Sequence, residues 1–112
     1  MSTREQIKSL QKEVLQGNLH IVRVGEIATQ LSSLLSTVNE KLVESEMFYN
    51  EKLANILEGQ NSVNKATVMS KTTPEYRLWQ EMLHLSKSTS KTITTLNNQG
   101  HIMREEQRVG KY

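Results

Sequence analysis

From Glu26 to Glu58 the chain runs without a glycine or proline, and its apolar residues recur at helical spacing throughout. Ile27, Leu31, Leu34, Val38, Leu42, Tyr49, Leu53 and Ile56 mark one face, and Ser45 fills the gap in register. Steps of three and four residues alternate, and Ile27, Val38 and Tyr49 recur at intervals of eleven, the spacing of a nearly straight seam. Such a helix is about 45 Å long at 1.5 Å per residue. No single short neighbour covers a stripe of that length. The chain is therefore expected to complete its core by self-association along these eight positions or on a partner.

The remaining signals are also helical. Ser2-x-x-Glu5 and Thr3-x-x-Gln6 are overlapping capping boxes ahead of Ile7, Leu10, Val14 and Leu15, with Gly17-Asn18 as the stop. Leu19 to Gly25 is β-branched and only partly alternating. It reads as a strand, an apolar helix start or a connector, and a lone strand has no partner within the chain. It is taken as irregular. Gly59-Gln60-Asn61-Ser62 ends or weakens the long helix, and Val63, Ala66, Val68 and Met69 can carry it towards Lys71.

The clear break is Lys71-Thr72-Thr73-Pro74-Glu75, with Thr73 as N-cap and Pro74 as first helical residue. Leu78, Met82, Leu85, Thr89, Ile93 and Leu96 line the next helix, and Asn97-Asn98-Gln99-Gly100 reads as its cap. The expected architecture is all-α: a long-helix hairpin with a short N-terminal helix and oligomeric, coiled-coil-like packing. It forms a single helical domain over 1–112, with a short helix at 1–17, a connector at 18–25, long helices at 26–71 and 72–100, and a basic tail at 101–112.

The chemistry of catalysis is sparse in these 112 residues. There is no cysteine, which excludes thiol catalysis, disulfides and thiolate-bound metals, and there is no aspartate. His20, His84 and His101 are scattered outside any metal motif, and no phosphate loop or nucleophile elbow is present. Glu44, Glu46 and Glu51 sit on the long helix as solvated carboxylates. The chain is expected to be no enzyme and to use no cofactor, metal or small-molecule substrate. No apolar run reaches the roughly 20 residues of a membrane span and no apolar leader is seen, so the expected location is cytoplasmic.

Charge points to binding. Residues 1–58 carry six basic and eight acidic side chains, and residues 59–112 carry eight basic and four acidic. Lys65, Lys71, Arg77, Lys87 and Lys91 straddle the break among Asn64, Thr67, Thr72 and Thr73, with Tyr76 and Trp79 nearby. Cations beside rings suit single-stranded nucleic acid, in which phosphates are neutralised and bases stack. A solvated helical face, with Trp79 in the core, accounts for the same residues. Arg104, Arg108 and Lys111 form a smaller basic cluster, diluted by Glu105 and Glu106.

Residues 41–112 resemble small phage proteins encoded among recombination and replication genes. The resemblance rests on Lys65-Ala66, on Thr72-Thr73-Pro74-Glu75-Tyr76, and on Gly100-His101-Ile102-Met103-Arg104 through Arg108. The layout is similar to UvsY-type recombination mediators, helical oligomers that bind single-stranded DNA and help load a recombinase where single-strand binding protein is present. The basic-aromatic stretch of such mediators is replaced here by Asn64-Lys65-Ala66-Thr67-Val68-Met69. The resemblance implies a homo-oligomer that binds single-stranded DNA and partners a recombinase, an annealase or a single-strand binding protein. Two other readings stay open: a scaffold, chaperone or adaptor, and an inhibitor docking on a larger host protein.

Overall fold

A computed structural model describes residues 1–60 and 62–110. It contains four α-helices, α1 (Thr3–Gln16), α2 (Ile21–Glu58), α3 (Val63–Ser70) and α4 (Pro74–Val109), and no strand among the described residues. The all-α expectation holds.

Local chemistry sets most of the helix ends. Ser2 caps α1, its hydroxyl accepting from the Glu5 N–H at 3.2 Å. Gly17, with φ +75°, ends α1, and Asn18 follows at φ +59°. Two successive left-handed residues turn the chain sharply, which glycine and asparagine tolerate best. Ser62 caps α3 through the Lys65 N–H. Thr73 caps α4 as expected, accepting from the Tyr76 N–H at 3.2 Å.

Three expected boundaries are corrected. The connector at 18–25 is shorter, because α2 starts at Ile21 and the Val24 N–H already bonds the His20 carbonyl. Burial of Val24 there outweighs the weak helix preference of a β-branched run. The helix expected over 26–71 stops at Glu58, and α3 begins afresh under its own cap. The helix expected over 72–100 continues to Val109, so most of the tail at 101–112 is helical. Gly100 is buried inside α4 rather than ending it. A Cβ placed there would lie 3.6 Å from a Val24 methyl, so the glycine marks close approach of two helices. Asn61 and Lys111 lie outside the described residues.

The chain divides into two compact units. The first comprises Met1–Thr37 and Lys87–Tyr112, and the second Val38–Ser86. In the first, α1 packs on the early part of α2 and the late part of α4, around buried Ile7, Val24, Ile27, Leu31, Thr89 and Leu96. Each large aliphatic side chain among these contributes roughly 1.5–3 kcal/mol by leaving water. Glu13 of α1 grips Arg23 of α2 in a two-pronged ion pair at 2.5 and 2.7 Å, and Glu26 adds a contact at 3.2 Å. Arg23 holds the Glu13 carboxyl below the ordinary glutamate value, and Glu13 in turn raises the guanidinium's value.

In the second unit, the late part of α2 and the early part of α4 run antiparallel. Asn39 meets Ser86 at 2.7 Å, and Tyr49 meets Tyr76 and Trp79. α3 closes this unit with its two smallest inward residues, Ala66 and Ser70, both fully buried. Tyr49 stacks on Trp79 with ring centroids 4.9 Å apart, and its hydroxyl meets Ser70 Oγ at 2.9 Å.

The seam is thus core within one chain. Ile27, Leu31, Val38 and Tyr49 are buried, and Leu34, Leu42, Leu53 and Ile56 are half-buried. Within the single chain these eight positions are covered wholly or in part by neighbouring helices. An α4 that ends nine residues later than expected, together with α1 in one unit and α3 in the other, supplies this cover.

Candidate nucleic-acid interface

The structure divides the predicted site residues between the two units. Lys65 on the first turn of α3, Lys71 just past its end and Arg77 near the start of α4 are exposed on the second unit. That unit carries five basic and seven acidic side chains, so these three cations sit in a net-negative body. Tyr76 is half-buried. Its ring lies 5.4 Å from Tyr49 and 6.1 Å, edge-on, from Trp79. Intrachain packing therefore occupies both rings beside the break, and Tyr76 is not the free stacking platform that the sequence suggested. The pairing of cation and open ring, one way in which a single strand is held, is not assembled at this break.

Lys87 and Lys91 belong to the first unit and are exposed one turn apart on α4. There they gain neighbours that sequence order hides. Gln11 of α1 donates through Nε2 to Ser88 Oγ at 2.9 Å and to Thr92 Oγ1 at 3.2 Å. Each lysine thus directly precedes a residue that α1 touches. On α1, Lys12 follows Gln11, Lys8 lies one turn before it, and Arg4 one turn earlier still, all three exposed. Arg4, Lys8 and Lys12 recur every four residues, about 6 Å apart along the axis. That spacing is shorter than the Debye length of about 8 Å at physiological salt, so their potentials add.

Little negative charge offsets this surface. Between Glu81 and Glu105 α4 has no acidic residue, and three of the five glutamates in the first unit (Glu13, Glu26 and Glu105) are paired with arginines. Among the described residues Arg4, Lys8, Lys12, Lys87 and Lys91 make no ion pair. The nearby hydroxyls contribute less than their number suggests. Thr92, Thr94 and Thr95 donate back to the carbonyls of Ser88, Ser90 and Lys91, which leaves them as acceptors only. The charge available to an anion on this unit therefore comes from the exposed cations of α1 and α4.

Arg4, Lys8 and Lys12 were missed because the sequence halves were compared, and the N-terminal half is net negative. The usable signal was their spacing on one helix. Arg104 and Arg108 also lie in the first unit, with Arg108 bound to Glu105 at 3.2 Å. Lys111 lies outside the described residues.

The first unit also holds a cleft of about 370 Å³ between α1 and α2, lined by Leu10, Leu34, Gln6, Ser9, Gln30 and Ser33 together with Met1. No carboxylate, histidine or lysine side chain faces it. His20, His84 and His101 are all exposed, and among the described residues no group of three or more potential ligands could hold a metal ion. Among the described residues no helix is long and apolar enough to cross a membrane. Comparison with protein-family models, with curated proteins and with solved structures found no match for this chain.

Proposed function

We propose that this chain is a non-enzymatic cytoplasmic accessory protein of DNA recombination or replication that holds a DNA strand by its phosphates. The supporting observation is the acid-poor row of Arg4, Lys8, Lys12, Lys87 and Lys91 bordering the α1–α4 junction of the first unit. Every aromatic residue among the described ones lies in the second unit, so the contact is to the backbone and carries no base preference. The likeness to UvsY-type mediators makes the strand single-stranded and the second partner a recombinase or single-strand binding protein. The cleft without acid–base groups and the scattered histidines support a binding role over a catalytic one.

Fluorescence anisotropy of a labelled single-stranded oligonucleotide tests this reading. Five phosphate contacts give a slope of log K against log salt of about −3.5, at roughly 0.7 per contact. Lys8→Glu/Lys91→Glu should weaken binding by at least about tenfold and flatten that slope, and Lys65→Glu/Lys71→Glu should leave both nearly unchanged. Absence of binding at low salt, or equal loss from the two pairs, would refute the site. An assembly or adaptor protein is the second reading, favoured by the exposed Phe48 and Leu78 of the second unit, and it predicts no oligonucleotide affinity at all.

A further inference from the structure

On the second unit, one side shared by α2 and α4 is apolar without being core. Phe48 is 48% exposed and Leu78 45% exposed, with half-buried Met82 beside them. Two depressions, of about 270 and 410 Å³, share Ser45, Phe48 and Leu78 as their common border. Lys41 and Glu44 flank the first, and Glu51, Lys52 and Glu75 flank the second. Glu75 Oε2 is shut off from solvent and has no hydrogen-bond partner.

We propose that this groove is a self-association face on which a second copy of the chain docks antiparallel, about a two-fold axis passing beside Phe48. The charge pattern selects this partner. Glu44 stands four residues before Phe48 and Lys52 four residues after it, each about 6 Å away along the helix. In antiparallel pairing centred on Phe48, each position meets the one equally distant on the other side. Glu44 of either copy then meets Lys52 of the other, twice over. The first depression of one copy also lies over the second depression of the other, which brings Lys41 towards the Glu51 and Glu75 side of that depression. Parallel pairing would set Glu44 against Glu44 and Lys52 against Lys52. An isologous interface must be complementary to itself, and this groove is so in one orientation only. Burial of Phe48 and Leu78 drives association, and the charges fix the register.

The inference rests on the second unit alone and stands whether or not the first unit binds nucleic acid. Light scattering of the full chain on a sizing column should give twice the 12.8 kDa of one chain. Glu44→Lys and Lys52→Glu should each raise the dimer dissociation constant at least about tenfold, because each sets like charges opposed at two places. Glu44→Lys/Lys52→Glu should restore the dimer with net charge unchanged. Both positions are exposed, so the variants keep the fold, and circular dichroism checks this. The absence of cysteine allows a second readout. A mixture of the Glu44→Cys and Lys52→Cys proteins should oxidise to a cross-linked pair faster than either alone. A monomeric wild type, single reversals without effect, a double variant that stays dissociated, or equal cross-linking in all samples would each overturn the proposal.

Discussion

Replacing Ser70 by alanine should destabilise the second unit more than replacing Tyr49 by phenylalanine, although the two changes break the same hydrogen bond. The hydroxyls lie 2.9 Å apart where Ser70 is fully buried and Tyr49 is 7% exposed. Ser70 Oγ also lies 2.7 Å from the Thr67 carbonyl oxygen, which can only accept. The single serine proton therefore goes to Thr67, and Tyr49 donates to Ser70. Tyr49→Phe removes that donor and leaves Ser70 bonded to Thr67, a loss of one net hydrogen bond or about 0.5–1.5 kcal/mol. Ser70→Ala leaves a buried phenol O–H without an acceptor, which costs about 1–3 kcal/mol. In the double variant neither group is left unpaired, so its cost should fall short of the sum by about 1 kcal/mol. Urea unfolding read by Trp79 fluorescence is the assay, because the chain's one tryptophan stacks on Tyr49 and reports on this unit. The slope with urea should not change between variants. Equal single-variant costs, or costs that add within about 0.3 kcal/mol, would refute the assignment of donor and acceptor.

Other consequences are checked by similar means. Gly25→Ala should raise thermal stability by about 0.5–1 kcal/mol, since Gly25 lies inside α2 with open space where the Cβ would stand. Gly100→Ala should do the same through ordinary contact with Val24, and Gly100→Leu should reverse the sign by forcing α2 and α4 apart. Thr73→Ala removes the α4 cap and should cost about 1 kcal/mol in urea unfolding. Glu13 titrates below the ordinary glutamate value of 4.5 because Arg23 bonds its charged form. The stability that this pair contributes is present above pH 4.5 and is lost as the pH falls through the lowered value. In Arg23→Gln a carboxyl NMR titration should find Glu13 back near 4.5, with stability flatter across that window.

The parts of the fold legible in the sequence were those decided by neighbours along the chain. Ser2, Gly17 and Thr73-Pro74 act within one helical turn, and the structure places boundaries at all three. Where contact between distant residues decides, the sequence misled. Ile21 to Val24 looks irregular until Val24 is buried, and Gly100 looks like a helix end until it is seen buried inside α4 beside Val24. The seam was legible only as a buried face. Its periodicity located a buried face, but periodicity does not reveal whether the cover comes from the same chain or from another. Tyr76 and Trp79 read as possible stacking rings because nothing nearby in sequence occupies them, and Tyr49, which does, lies 27 and 30 residues away.

The charge was misread for a related reason, and the corrected reading separates the two proposed surfaces. Dividing the chain at Gly59 makes the C-terminal half basic, but α2 and α4 each contribute to both units. Sorted by unit, the first carries nine basic and five acidic side chains and the second five and seven. The proposed polyanion site thus falls on the net-positive unit, which contains α1, a helix that no comparison of halves would single out. The groove around Phe48 lies in the net-negative unit. The two activities should therefore be separable by mutation. Lys8→Glu/Lys91→Glu should lose oligonucleotide affinity with its light-scattering mass unchanged, and Glu44→Lys should lose mass with the intrinsic salt slope of binding kept. Loss of both properties in either variant would mean that one surface serves both, and the assignment by unit would fail.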